Sequence, residues 1–260
     1  MKETYTADDG TQLSYHLIGE GSKHVLLVHG WMTSGLVYDG LAARLAQSGY
    51  HVIVPDLRGA GASEASKSDY TLATYASDMK ALLDHLGVEQ CAVIGHSMGG
   101  EIAQLLALEA PAQVAKQALL CTVPAAGLPL PDDALGLFRS ASNNAEALAT
   151  ILSIATLNLG EADKEALVAN AVKISDTCLQ RSLDSWMAGG FAERLPETQA
   201  QTLVVASDDP FLPPDFLQQS VVDPIPSACM EIVKGAGHYP QLEAPNETAR
   251  VILDFLASGV

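Results

Sequence analysis

Short apolar runs alternate with amphipathic segments along most of this chain. The runs are rich in β-branched and aliphatic residues, as buried parallel strands are, and they lie at 24–28, 51–55, 91–94, 117–121, 202–206 and 229–233. A partly alternating run follows a glycine-containing turn and predicts an earlier antiparallel strand at 12–18. Apolar residues at helical spacing predict helices at 36–48, 71–86, 99–110 and 246–257. This order of elements predicts a doubly wound, mostly parallel α/β sheet with helices on both faces.

The alternation stops between residues 124 and 196. This stretch begins with a proline-rich segment, has no strand-like run, and is helical in composition at 145–159, 164–174 and 178–187. It is also far longer than an ordinary crossover between parallel strands, which needs about 10–12 residues or more. We therefore predict a helical lid, residues 124–196, inserted into a core made of residues 1–123 and 197–260.

Composition and charge narrow the possible partners. Hydrophobic residues make up 48% of the 260 positions, and 14 basic against 31 acidic residues give a net charge of −17. Such a surface repels phosphate backbones and anionic lipid, so we expect neither nucleic acid nor a membrane as partner. The N-terminus lacks the apolar stretch of a secretory signal. We expect a cytoplasmic protein that acts on a small molecule, and the sequence leaves its oligomeric state open.

The four cysteines form no C-x-x-C pair and no cluster with zinc-like spacing. Cys91, Cys121 and Cys229 lie in or at the apolar strand runs. We predict that they are reduced, buried thiols. We expect no metal site and no organic cofactor.

The strongest chemical signal is the stretch Gly95-His96-Ser97-Met98-Gly99-Gly100. It matches the pattern G-x-S-x-G directly after a predicted strand and directly before a predicted helix. A chain that turns this sharply strains the backbone of its serine and needs small residues two positions before and two after. The sequence therefore predicts that Ser97 is an exposed nucleophile at the positive end of a helix.

A serine hydroxyl needs a positioned base, and that base needs an acid to orient it. His238 follows the last predicted strand in a glycine-rich loop, a place where sites form in open α/β sheets. Asp208 and Asp209 both follow the strand at 202–206. We prefer Asp209 because of its place ahead of two nearby prolines, with Asp208 as the alternative. The chain order Ser97, Asp209, His238 is nucleophile, acid, base.

With these motifs the chain resembles the α/β-hydrolase superfamily over essentially its whole length except the lid. The resemblance implies a sheet of about eight strands and a catalytic triad of Ser97, Asp209 and His238. The stretch His29-Gly30-Trp31-Met32 resembles the oxyanion loop of the family. This implies the backbone N–H groups of Trp31 and Met98 as the two oxyanion donors.

Three further stretches fit the same family. Residues 56–63 resemble its R-G-x-G-x-S turn, which is structural rather than catalytic. Residues 206–213 resemble its acid loop, except that Ala206 replaces the usual glycine, which keeps the choice between the two aspartates in question. Gly237-His238 followed by Glu243 and Pro245 resembles its histidine loop.

Candidate pocket residues flank these motifs or lie in the lid. The flanking candidates are His29, Met32, His96, Phe211, Leu212 and Tyr239, and the lid candidates are Phe138 and Trp186. Further candidates in the lid are Leu128, Leu130, Leu137, Met187 and Phe191, although packing against the core is the more common role for such residues.

These observations favour a serine hydrolase that cleaves a small or medium carboxylic ester through an acyl-enzyme on Ser97. Similar proteins use the same triad for carbon–carbon bond, lactone or perhydrolysis reactions, so the motifs do not separate these activities. A cofactor-free dioxygenase is disfavoured because its acid tends to follow an earlier strand, whereas residues 121–124 hold no carboxylate. A non-catalytic small-molecule receptor on the same scaffold is the remaining alternative.

Overall fold

A single sheet runs through the computed structural model, which describes residues 2–258. Its eight strands are β1 (Lys2–Thr6), β2 (Gln12–Ile18), β3 (Lys23–Val28), β4 (Tyr50–Pro55), β5 (Cys91–His96), β6 (Val114–Leu120), β7 (Gln201–Ser207) and β8 (Ala228–Val233). Their spatial order is β1-β2-β4-β3-β5-β6-β7-β8. The strand β2 pairs antiparallel with both β1 and β4, and all other neighbours are parallel. The carboxyl ends of β3 to β8 therefore meet at one edge of the sheet.

Helices fill most of the connections between strands. The α-helices are α1 (Asp39–Gln47), α2 (Leu72–His85), α3 (Met98–Glu109), α4 (Asp132–Arg139), α5 (Ala145–Ala155), α6 (Glu161–Ala171), α7 (Asp176–Ala188), α8 (Pro214–Leu217), α9 (Pro240–Glu243) and α10 (Pro245–Ala257). Short 3₁₀ or π turns lie at Gly35–Tyr38, Ala192–Glu197 and Gln218–Val222. Helix α1 packs on α10 and α2 packs on α3, which gives the two helical layers of a doubly wound sheet.

Polar caps define where several helices begin. The side chains of Thr71, Asn144 and Ser175 each accept the N–H of the residue three positions on, at the starts of α2, α5 and α7. Such a cap satisfies one of the backbone donors that a helix leaves unpaired at its first turn. None of the helices within residues 2–258 is long and apolar enough to cross a membrane.

The predicted α/β architecture is confirmed, with local differences. Strand β1 and helix α4 were not predicted, and β6 begins three residues before the predicted run at 117–121. Cys121 lies beyond the end of β6 with a φ of +40°. In residues 124–196, all of which are described, the structure contains α4 to α7 and no strand. We keep the name lid for this segment.

The prediction for one of the cysteines is wrong. Cys91 and Cys121 are buried, and so is Cys178, but Cys229 is exposed. Cys229 lies in β8, an edge strand in which Val233 is the one buried residue. An apolar run at a sheet edge lacks the covering layer that buries the same residues in a central strand.

Arg58, in the turn at 56–63, joins the start of the chain to α2. Its side chain is 2% exposed and donates two hydrogen bonds of 2.7 Å to Asp78 in α2 and one of 2.8 Å to Asp9. Burial would lower the pKa of Arg58, but the two carboxylates outweigh it and raise the pKa. A buried, bidentate pair of this kind fits the structural role that the resemblance implies for this turn.

Candidate active site

Ser97 lies at the sharp turn between β5 and α3, with a φ of +55° and a ψ of −122°. Residues other than glycine rarely adopt this conformation. A Cβ atom on Gly99 would come within 2.1 Å of the Val28 carbonyl oxygen, and one on Gly95 within 2.2 Å of the Gly99 carbonyl oxygen. Glycine at both positions is therefore required for the turn to pack against β3 and the start of α3.

Neighbouring backbone groups hold this strained serine. The Ser97 N–H donates to the Leu120 carbonyl at 3.0 Å, and the Ser97 carbonyl accepts the N–H groups of Gly100 at 2.9 Å and Val123 at 3.1 Å. The Ser97 side chain is only partly buried and lines a cavity above the carboxyl ends of the parallel strands. The turn thus presents the hydroxyl to a space that a ligand can occupy.

His238 lines the same cavity, and Asp209 lies behind it. His238 Nδ1 is 2.6 Å from Asp209 Oδ2, and the Asp209 side chain is fully buried. Asp209 Oδ1 accepts the N–H of Phe211 at 2.8 Å. Burial alone would raise the pKa of Asp209, but His238 and the hydrogen bonds outweigh it and hold the pKa below its usual value. The ionised carboxylate favours the His238 tautomer that carries its proton on Nδ1, which leaves Nε2 as the basic nitrogen.

Asp208 does not take part in this pair. It is exposed, and its Oδ2 accepts the N–H of Gly235 at 2.7 Å. The structure therefore brings Asp209, the aspartate preferred from the sequence, to His238. Within residues 2–258 no hydrogen bond joins the Ser97 hydroxyl to His238. Contacts between a nucleophile and its base often tighten only in the complex with substrate.

Two unpaired backbone donors lie next to the serine. Neither the N–H of Trp31 nor that of Met98 has an acceptor among the described residues. Gly30 brings the loop of Trp31 against the turn of Ser97, since a Cβ atom on Gly30 would lie 3.0 Å from the Ser97 Cβ. Buried N–H groups are nearly always paired in folded proteins. Two unpaired N–H groups beside the serine can therefore donate to an oxygen that becomes negatively charged during a reaction.

The prediction that His29 lines the pocket is wrong. The ring is 1% exposed, its Nε2 accepts the N–H of Leu57 at 2.9 Å, and its Nδ1 lies 2.9 Å from the Gly30 carbonyl. Burial lowers the pKa of His29, so the ring is neutral and Nδ1 donates to that carbonyl. His29 thus fixes the shape of the loop before Trp31.

The prediction for His96 is also wrong. This ring is fully buried, and its Nε2 lies 2.7 Å from the His238 carbonyl. Burial, followed by the neighbouring His238, lowers the pKa of His96 to about 3, so the ring is neutral and Nε2 donates to that carbonyl. The ring centroid lies 4.9 Å from that of His238 and 4.7 Å from that of Tyr239. His96 supports the histidine loop from below and does not contact the cavity.

The cavity at Ser97 and His238 is lined almost entirely by apolar and aromatic groups. The space between its walls, including the open mouth, is about 560 Å³. The other six predicted pocket residues line it: Met32, Phe138, Trp186, Phe211, Leu212 and Tyr239. Trp31, Leu128 and Leu130 line it as well, whereas Leu137, Met187 and Phe191 do not.

Lid residues complete the aromatic wall of this cavity. Phe138 of α4 stacks on Trp31 with ring centroids 5.2 Å apart and meets Trp186 and Phe211 edge-on at 6.2 Å. The indole Nε1 of Trp31 donates to the Leu179 carbonyl in α7 at 3.0 Å. Three lining residues escaped the sequence analysis, namely Val123, Ile151 and Ala155. The helical spacing of α5 indicates its apolar face, but not that the face meets the cavity.

One group of side chains has the spacing of a metal site. Ligand atoms of Cys121, Asp209 and His238 lie within 4.8 Å of one another, the sole such group within residues 2–258. Burial, followed by the charge of Asp209, raises the pKa of the Cys121 thiol well above its usual value. His238 Nδ1 and Asp209 already bind each other. A protonated thiol beside a closed hydrogen bond is a poor ligand set for a metal ion.

Known proteins resemble this chain both in sequence and in fold. A family profile described as alpha/beta hydrolase fold matches residues 23–245. A 2-hydroxy-6-oxononadienedioate/2-hydroxy-6-oxononatrienedioate hydrolase from Paraburkholderia xenovorans is 30% identical over 96% of this chain and 92% of its own length. A non-heme haloperoxidase from Rhodococcus erythropolis is 38% identical over 46% of this chain and 43% of its own length. An esterase from Exiguobacterium antarcticum superposes with a TM-score of 0.92 over 99% of this chain and all of its own, at 22% identity.

Proposed function

This chain belongs to the α/β-hydrolase fold family, and we propose that it is a serine hydrolase that cleaves neutral carboxylic esters through an acyl-enzyme on Ser97. One observation carries the proposal: a strained serine and a histidine backed by a buried aspartate line one apolar cavity. The fold by itself does not choose among hydrolytic reactions, so the choice rests on the site.

In the proposed mechanism the Ser97 hydroxyl attacks the ester carbonyl and transfers its proton to His238 Nε2. Asp209 remains ionised and stabilises the imidazolium that forms. The N–H groups of Trp31 and Met98 bind the negative oxygen of the tetrahedral intermediate, and each such donor contributes about 3–4 kcal/mol. His238 then protonates the departing alcohol, which leaves an acyl group on Ser97.

Hydrolysis of the acyl-enzyme repeats the same steps with water as the nucleophile. His238 Nε2 removes a proton from water, and the hydroxide attacks the acyl carbonyl. The oxyanion is held by the same two N–H groups. Ser97 leaves with the proton from His238, and the carboxylic acid is released.

The lining of the cavity supports a neutral substrate. None of its fourteen lining residues, all within residues 2–258, is a lysine, arginine, aspartate or glutamate. A charged substrate group would therefore lose its water without gaining an ion-pair partner, which costs several kcal/mol. The net charge of −17 adds a long-range repulsion for anions.

This lining distinguishes the proposal from the activity of the relative in Paraburkholderia xenovorans. The name of that relative's substrate denotes a dicarboxylate. Two carboxylate groups would face a cavity whose titratable side chains are His238 and Tyr239. We therefore favour ester hydrolysis over cleavage of a carbon–carbon bond in a dicarboxylate.

The experiment compares p-nitrophenyl butyrate with p-nitrophenyl hydrogen succinate, which has a similar length and ends in a carboxylate. We expect kcat/KM for the neutral ester to exceed that for the charged ester by about 100-fold, or 2.7 kcal/mol. Rapid mixing should show a burst of nitrophenol if the acyl-enzyme accumulates. Ser97→Ala should fold normally and lose turnover of both esters.

Three results would contradict the proposal. Ester turnover that survives Ser97→Ala would exclude Ser97 as the nucleophile. Equal rates for the two esters would exclude a neutral-substrate site. A folded protein that binds esters without turning them over would favour the receptor alternative.

A further inference from the structure

Three consecutive backbone N–H groups around His238 bind alternately to Glu243 and to the lid. The N–H groups of Gly237 and Tyr239 donate to the Glu243 carboxylate at 3.0 and 3.1 Å. The N–H of His238 donates to the Ala155 carbonyl, at the end of α5, at 2.8 Å. A Cβ atom on Gly237 would lie 2.5 Å from that carbonyl oxygen, so glycine permits the close approach.

The Glu243 carboxylate binds the lid as well. Its Oε2 accepts the N–H groups of Leu157 at 2.7 Å and Asn158 at 2.8 Å, directly after α5. The Asn158 side chain returns the contact by donating to the Gly235 carbonyl at 2.5 Å. One carboxylate therefore accepts four backbone N–H groups, two from the histidine loop and two from the lid.

We propose that Glu243 is a positioning residue that holds His238 in place through the end of α5. The inference rests on the proposed function in taking His238 as the base. Because both sides share one acceptor, the lid residues Ala155, Leu157 and Asn158 and the loop around His238 form one hydrogen-bonded unit, which we name the clamp. Ala155 also lines the cavity, so the clamp reaches from the wall of the pocket to the base.

The charge and the shape of glutamate both matter for this role. A carboxylate offers about four lone-pair sites, and hydrogen bonds to an ionised acceptor are stronger than those to a neutral one. Glutamine can still place its oxygen where Oε2 accepts three N–H groups. Its NH₂ group then faces the N–H of Tyr239, which is a donor against a donor. Alanine removes all four contacts.

The experiment measures the clamp and the reaction separately in Glu243→Gln and Glu243→Ala. Hydrogen exchange of the amides at 157, 158 and 237–239 reports the clamp. The proton between His238 Nδ1 and Asp209, observed by NMR, reports the placement of His238. Hydrolysis of p-nitrophenyl butyrate reports kcat and KM. Glu247→Gln is the control, because Glu247 lies nearby in α10, is exposed, and pairs with Arg250.

We expect Glu243→Ala to lose amide protection at these positions and to lower kcat by about 100-fold with less than about twofold change in KM, since small displacements of a catalytic group are costly. Glu243→Gln should fall between it and the wild type, and the control should match the wild type. If Glu243→Ala does not fold, the two single variants Glu243→Gln and Asn158→Ala give the same comparison, because each removes fewer contacts.

The outcomes separate this inference from the proposed function. Loss of protection with unchanged kcat and an unchanged His238–Asp209 proton signal would make Glu243 merely structural and overturn the inference. Unchanged protection would show that the clamp does not exist. If the wild type hydrolyses no ester, the exchange and NMR measurements still decide whether Glu243 positions His238.

Discussion

Replacing Glu101 with glutamine is expected to stabilise the protein, and to do so more strongly as the pH rises. Glu101 lies in the first turn of α3, is fully buried, and has no hydrogen-bond partner for either carboxyl oxygen within residues 2–258. Burial raises the pKa of Glu101 well above its usual value. The helix N-terminus favours a carboxylate by only about 0.3–1 kcal/mol, so burial is the larger effect.

The size of the effect follows from proton binding. In the unfolded chain the carboxyl ionises near the ordinary glutamate pKa of about 4.3. Above that pH, folding must return a proton to Glu101. While the buried carboxyl stays protonated, this lowers the free energy of unfolding by about 1.4 kcal/mol for each unit that the pH rises. Stability is therefore lost as the pH rises, and glutamine escapes this loss. Between pH 5 and 7 the advantage of Glu101→Gln in unfolding free energy should therefore grow, by at most about 2.7 kcal/mol, the limit for a carboxyl that stays protonated over the whole range.

Urea unfolding of the wild type and Glu101→Gln at pH 5, 6 and 7 gives this difference directly. Other titrating groups affect both proteins equally and cancel. Glu165→Gln is the matched control, because Glu165 is exposed in α6, and its difference from the wild type should not change with pH. A difference for Glu101→Gln that is equally constant would refute the reasoning.

Three further predictions concern the site. Asp209→Asn should lower kcat for p-nitrophenyl butyrate by about 10³ to 10⁴-fold, because it removes the acid that fixes the tautomer of the base. Asp208→Asn should change kcat by less than about threefold, and comparable losses for the two variants would overturn the assignment of the acid. Gly99→Ala should reduce the free energy of urea unfolding by about 2–3 kcal/mol, because its methyl group would overlap backbone; an unchanged midpoint would contradict that. Phe138→Ala should shift the preference in kcat/KM towards longer acyl chains by about tenfold, and an unchanged chain-length profile would show that this ring does not limit the pocket.

The central strands were predictable because burial on both faces leaves an apolar run that needs no knowledge of the partner strand. Strand β1 has no such run, since it pairs with one neighbour at the sheet edge. Cys229 shows the opposite error. The apolar run in β8 predicted that this cysteine is buried, but it is exposed because β8 lies at the edge of the sheet. What lies beside a strand is a tertiary property, and the pattern along the chain does not contain it.

The approximate site was predictable for a related reason. The carboxyl ends of parallel strands meet at one edge, so motifs far apart in sequence could be placed together. The direction of each ring could not, and His29 and His96 were therefore assigned to the pocket although both bind backbone beneath it. The four contacts of Glu243 were missed because two come from the lid, about 86 residues earlier in the chain. A glutamate five residues after the histidine was the available signal.

The Ala155 carbonyl has a consequence for protein engineering. An engineer who wants to change the substrate range of such an enzyme would exchange the lid, since Ser97, Asp209 and His238 all lie outside it. The hydrogen bond from the His238 N–H to Ala155 means that the segment is not an independent module. A chimera that replaces residues 124–196 should retain the native backbone path at 155–158, with grafted sequence confined to the remainder. Chimeras joined without that constraint should fold and bind, yet turn over slowly.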